Sequence, residues 1–112
     1  MHPLRGEVWY ADLSPTRGHE QAGVRPVLIV SVNRFNRGRG EMVVVLPLTR
    51  TERNHPLHIR ILPPEGGLTA VSFALCDNVR AISIERLDRR LGTVSSGTLA
   101  QLAGPLRYIL HL

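Results

Sequence analysis

The sequence predicts a mainly β fold with one C-terminal α-helix: a small, mostly antiparallel β-barrel or half-barrel closed by that helix. Three observations predict it. Short apolar runs alternate with turn chemistry such as Ser14-Pro15-Thr16 and Pro63-Pro64-Glu65-Gly66-Gly67. Leu99, Leu102, Ala103, Leu106, Ile109 and Leu110 recur at three- and four-residue spacing, one apolar face of a terminal helix. The chain has 112 residues, 43% of them hydrophobic, with no internal repeat, low-complexity segment or linker. That length suits one domain, 1–112, and is too short for two independent cores.

Taken in order, Gly6 to Leu13 reads as a first strand, with Val8, Tyr10 and Asp12 on one face and Glu7, Trp9 and Ala11 on the other. Val24 to Val32 is a nearly continuous apolar run, which predicts a central strand covered on both faces. Met42 to Leu48 is a valine-rich third strand, and Leu57 to Leu62 alternates as a half-exposed strand does. Thr69 to Leu75 reads as a fifth strand that runs on through Cys76 to Ile82 after a kink or bulge. Ser83 to Asp88 is long enough for one helical turn capped by Ser83, and Leu91 to Val94 for a short last strand. Ser95 or Ser96 then caps the helix, in which Gly104-Pro105 predicts a kink rather than an end, because the apolar spacing resumes in phase beyond it.

The net charge is +5, and all 14 basic residues are arginine. A basic surface favours phosphate-rich partners through counterion release, or an acidic protein partner. Cys76 is the only cysteine, so neither an internal disulfide nor a cysteine zinc motif is available, which fits a reducing cytoplasm. No apolar run approaches the ~20 residues needed to span a bilayer, and Met1 to Arg5 has no apolar segment behind it. The expectation is a cytoplasmic protein with no membrane association. His2, His19, His55, His58 and His111 are scattered, and His55 and His58, three apart on an expected strand, should face opposite sides. No metal site or cofactor is therefore expected.

The stretch Gly18-His19-Glu20-Gln21-Ala22-Gly23-Val24-Arg25-Pro26 is a glycine-bounded loop feeding the central strand. It sets an imidazole, a carboxylate, an amide and a guanidinium at the mouth of a rigid element, where Arg25 can fork onto phosphate oxygens. A plain polar hairpin loop would carry the same residues. The loop Asn33 to Gly40 holds Arg34, Phe35, Arg37 and Arg39, charges and one ring that suit single-stranded RNA, although a solvated loop would look alike.

Several segments, in order, resemble the MazF/PemK family of toxin endoribonucleases. Arg5-Gly6-Glu7-Val8-Trp9, Asp12 to Gln21 and Gly23 to Val30 are similar to that family's opening. Leu46-Pro47-Leu48-Thr49 resembles its second catalytic segment, Asp77-Asn78-Val79-Arg80-Ala81-Ile82 its acidic-amide strand, and Arg90 to Val94 the lead-in to its last helix. The resemblance implies a small SH3-like β-barrel, the CcdB/PemK-like toxin fold, working as a homodimer with clefts at the dimer interface. It implies an acidic, partly disordered MazE-like antitoxin as partner and single-stranded RNA as substrate. By the same resemblance Arg25 and Thr49 match the catalytic arginine and threonine, and Asp77 and Asn78 a pair that reads bases. The alternatives are a CcdB-like gyrase poison or a non-catalytic nucleic-acid-binding module on the same fold.

RNA carries its own nucleophile, the 2′-OH, so cleavage to a 2′,3′-cyclic phosphate and a 5′-OH needs no metal. Arg25 suits the stabiliser of phosphorane charge, since a guanidinium with pKa above ~12 is a poor base, and Thr49 can donate its hydroxyl. Glu20 and His19 are the candidates for acid–base assistance. Arg17, Gln21, Arg50 and Arg53 join the loop arginines as candidate RNA contacts, and specificity is expected in loops 17–24, 33–40 and 49–55.

Overall fold

The computed structural model describes residues 2–14, 18 and 23–112. Its strands are β1 (Glu7–Asp12), β2 (Val24–Ile29), β3 (Met42–Thr49), β4 (His58–Ile61), β5 (Ser72–Leu75), β6 (Arg80–Ser83) and β7 (Leu87–Thr93). The helices are one turn, α1 (Asn33–Asn36), and the terminal α2 (Ser96–Leu110). All strand pairs are antiparallel, in the order β4-β5-β3-β2-β1-β7, with β6 also on β3. The eight-residue β3 takes β6 along Met42 to Val45 and β5 at Leu48 and Thr49. This is possible because the run from Ser72 to Ser83 breaks at a 3₁₀ turn, Cys76–Asn78, which is the expected kink. The described strands bend into an open half-barrel whose hydrogen bonding does not close.

The pleat sorts the core into two clusters. Val8, Leu28, Leu46, Leu48, Ile61 and Ala74 pack with Val94 and Leu102, and Leu99, Leu106 and Ile109 of α2 cover them. Trp9, Ala11, Leu13, Val27, Ile29, Val43, Val45, Ile82 and Leu87 form the other. Val27, Leu28 and Ile29 have no exposed surface, so β2 is central and covered on both sides, as its unbroken apolar run predicts. Burying Leu102 contributes about 2 kcal/mol, and it anchors α2 across the sheet.

Several elements differ from the sequence expectation. β2 ends at Ile29, and residues 33–36 of the expected loop form α1. There Asn36 is buried, its amide donating to Pro3 O at 3.0 Å and to Ser31 O at 3.2 Å. β5 begins at Ser72 rather than Thr69. β7 begins at Leu87, four residues before the apolar signal, because the charged Asp88-Arg89-Arg90 is exposed at a sheet edge and shows no alternation. The helical turn capped by Ser83 is present, with its hydroxyl accepting from Glu85 N–H at 3.2 Å. α2 runs through Gly104-Pro105 without ending.

Residues 63–67 are more than a turn. Glu65 accepts from Ser95 N–H at 2.9 Å and from the Thr98 hydroxyl at 2.5 Å, tying itself to the first turn of α2, where Ser95 is the cap. The Thr98 bond, then the Ser95 N–H bond, hold its carboxyl below the ordinary value of 4.5. Gly67 has a positive φ, and a Cβ there would lie 2.1 Å from Leu91 O, so only glycine lets this turn press on β7.

Candidate active site

Strand register builds the site. Val27 lies opposite Pro47, and carrying that register to the strand ends sets Arg25 opposite Thr49 on one pleat face. Thr49 pairs with Phe73, and Phe73 with Arg60. Arg25, Thr49, Phe73 and Arg60 therefore form a row across β2, β3, β5 and β4, three strand spacings or about 14 Å long. His58, opposite Leu75, lies one pleat repeat along from Arg60 on the same face. Cross-strand pairing thus gathers residues up to 48 positions apart in sequence, from Arg25 to Phe73.

Thr49 is buried, and its Oγ1 accepts from Thr51 N–H at 3.2 Å, which turns the chain away from β3. Arg25 is half-buried. Gly18 and Gly23, the bounds of the preceding loop, both have positive φ, as their placement predicts. A cleft of about 550 Å³ wraps the ends of β2 and β3. Arg25, Arg50 and Arg89 line it with the hydroxyl side chains of Tyr10, Thr49, Thr51, Thr69 and Ser72. Among the described residues no carboxylate or imidazole lines it, and the charged side chains that do are all arginine. Arg89 lies over the Tyr10 ring, 4.9 Å from the centroid, a cation–π contact.

A second cleft of about 190 Å³ adjoins the far end of the row, lined by Glu52, Arg53, Asn54, His55, His58, Arg60 and Phe73. His58 Nε2 lies 3.1 Å from Asp77 Oδ1, and Asn78 donates to the same oxygen at 3.3 Å. The acidic-amide pair is thus held beside the imidazole. Contrary to the expectation that they face opposite ways, His55 and His58 stack, with ring centroids 4.4 Å apart and planes inclined by 18°. β4 starts only at His58, and a turn bond from His58 N–H to His55 O at 3.0 Å folds the two rings together.

Of the expected site residues, Arg25, Thr49 and Arg50 meet at the larger cleft, while Arg53 lines the smaller one. Asp77 reaches the smaller cleft's His58, and Asn78 donates to Asp77. Arg34, Phe35, Arg37 and Arg39 are exposed in the β2–β3 connection, at the opposite end of those strands. Arg17, His19, Glu20 and Gln21 lie outside the described residues. Sequence reasoning missed Tyr10, Arg89, Phe73, His58 and Arg60. The alternation along β4 already put His58 and Arg60 on one face, but their neighbour across the sheet, Phe73, was not readable without register.

The fold and this arginine–threonine end define a class, a half-barrel that presents a positive cleft at its strand ends. A family model described as PemK-like, MazF-like toxin of type II toxin-antitoxin system matches residues 4–110. The chain belongs to that family. It is 37% identical over 113 residues to an endoribonuclease named MazF9 from Mycobacterium tuberculosis, covering 96% of this chain and 94% of the relative. Its structure is similar to that of MazF from Deinococcus radiodurans, with TM-score 0.86, 27% identity, and coverage of 100% and 99%. It is also similar to a mycobacterial endoribonuclease solved with its cognate antitoxin, with TM-score 0.79, 33% identity, and coverage of 98% and 96%.

Proposed function

We propose that this protein is the toxin of a type II toxin–antitoxin system and a sequence-specific, metal-independent endoribonuclease. The observation that carries the reading is the register that sets Arg25 opposite Thr49 on one face, beside a cleft without described carboxylates. Family membership weighs against the gyrase poison and the inert binding module.

A phosphodiester seated at the strand ends meets Arg25, whose planar fork neutralises the non-bridging oxygens as phosphorane charge develops. Thr49 donates its hydroxyl to one of them. The 2′-oxygen attacks phosphorus, the bond to the 5′-oxygen breaks, and the products are a 2′,3′-cyclic phosphate and a 5′-OH. Glu20 and His19 supply the proton acceptor and donor, a role no described residue lining the larger cleft is built for. Flanking nucleotides run along the row toward Phe73 and Arg60, where Asp77 and Asn78 read base edges and Arg50 and Arg53 hold phosphates.

The protein acts in the cytoplasm as a single domain, 1–112. Among the described residues no helix is long and apolar enough to cross a membrane. It is a homodimer, a state supported by exposed apolar side chains such as Val24, Phe35 and Tyr108, and sedimentation at micromolar concentration tests this. An acidic MazE-like antitoxin competes with RNA for the positive cleft.

Incubation with a long RNA in EDTA tests the activity. Discrete fragments ending in cyclic phosphate are expected. Intact RNA, or cleavage that needs added metal, would refute the proposal.

A further inference from the structure

We propose that His55, His58 and Asp77 form a binding site for a transition-metal dication of the Zn²⁺ type, and that its occupation withdraws Asp77 from RNA. One donor atom from each of the three lies within 4.8 Å of the others. Two imidazoles and a carboxylate are a recurrent three-ligand set for Zn²⁺, with the remaining position open to water. The His58 Nε2 to Asp77 Oδ1 separation of 3.1 Å is already close to the ~3.3 Å edge of a tetrahedron with bonds of about 2.0 Å. His55 is exposed on the connection ahead of β4, so its ring can close the remaining gap without disturbing the core.

The second observation is the state of the His58 ring. Its side chain is 5% exposed, and its Nδ1 is buried with no hydrogen-bond partner among the described residues. Asp77 accepts only a proton on Nε2, so the neutral ring carries it there. A metal on Nε2 moves that proton to Nδ1, and since Nδ1 is bonded to nothing, the shift breaks no other contact. The same orphan limits the affinity, because Nδ1–H gains no acceptor of the kind that buttresses tight sites. His55 likewise gives up one exposed bond, from Leu57 N–H to its Nδ1 at 3.1 Å. Binding weaker than at a fully buttressed site follows from these two costs.

The site would be regulatory, since the cleavage chemistry runs through Arg25 and Thr49 and asks nothing of a metal. Competition with RNA rests on the reading of Asp77 as a base-contacting residue, whereas the binding itself does not. The untagged, metal-stripped chain is titrated with Zn²⁺ by calorimetry and with Co²⁺ by visible absorption, which reports tetrahedral geometry directly. One Zn²⁺ per chain is expected. His55→Ala and Asp77→Asn, checked for folding by circular dichroism, should each weaken binding by about tenfold or more, while His2→Ala and His111→Ala leave it unchanged. Wild-type affinity in His55→Ala, loss of affinity in His111→Ala, or no saturable binding would each overturn the site. In a separate arm, Zn²⁺ should slow RNA cleavage by wild type and slow it less in His55→Ala. Equal slowing of both would overturn the regulatory role.

Discussion

Arg25 and Thr49 face the same phosphate with unlike chemistry, and their substitutions separate accordingly. Arg25 counters charge that peaks in the transition state, so Arg25→Ala should slow the cleavage step by ~10²-fold or more while RNA affinity falls far less. Arg25→Lys keeps the charge but loses the fork, and recovers part of that rate. Thr49→Ser retains the donor and should be mild. Thr49→Val retains the shape, removes the donor and leaves Thr51 N–H without its acceptor, so it should be severe in rate with some loss of stability. Single-turnover cleavage in EDTA, with binding followed separately, gives the order wild type, Thr49→Ser, Arg25→Lys, then the two severe variants. A wild-type rate in folded Arg25→Ala would refute the assignment. Cys76 stands apart from this chemistry: burial, then the charge of Asp77, pushes its thiol up to about 11, so it stays protonated and inert at neutral pH.

At the scale of elements, the joint between residues 63–67 and α2 carries stability that the turn composition hides. Glu65→Ala removes the acceptor of Ser95 N–H and of the Thr98 hydroxyl and should cost about 0.5–2 kcal/mol, as loss of a helix cap does. Because the folded carboxyl titrates below the ordinary value of 4.5, it binds fewer protons than in the unfolded chain. Its contribution is complete above that value and is lost as pH falls through the folded pKa. Urea unfolding of wild type and Glu65→Gln should therefore differ at neutral pH, and the difference should shrink as the pH is taken down below the ordinary carboxyl value of 4.5. A difference that is independent of pH would show that the contacts act through packing instead. The same joint marks what could be read in advance. Helix α2, the central β2 and the kink at Cys76 were legible because apolar spacing is a local signal. β7 was half-hidden, since an exposed edge strand needs no apolar face, and the role of Glu65 depends on a partner 33 residues away. Within the site, Arg25 and Thr49 were identifiable by resemblance, whereas Phe73 and Arg60 came into the row only through cross-strand register.

Over the whole molecule, the arginines of the two clefts and those of the β2–β3 connection are set apart by the length of β2, and this separation predicts how RNA binding responds to salt. Arg25 and Arg50 line the larger cleft and Arg53 and Arg60 the smaller, while Arg34, Arg37 and Arg39 sit in the connection beyond Ile29. From Ile29 back to Arg25 is four residues of strand, about 13 Å, already longer than the ~8 Å Debye length at physiological salt. Within one protomer the loop charges are therefore screened from a phosphate at the strand ends. Binding of a short RNA whose 2′-OH groups are methylated, measured by anisotropy over a salt series, should lose ~0.7 of log–log slope for each phosphate contact removed. Arg50→Ala with Arg53→Ala should flatten the slope by up to two such steps, and the triple alanine variant at 34, 37 and 39 should leave it unchanged. Flattening by the triple variant alone would sink the one-protomer account and bring the partner's loop to the cleft in the dimer, where RNA would be held by two chains at once.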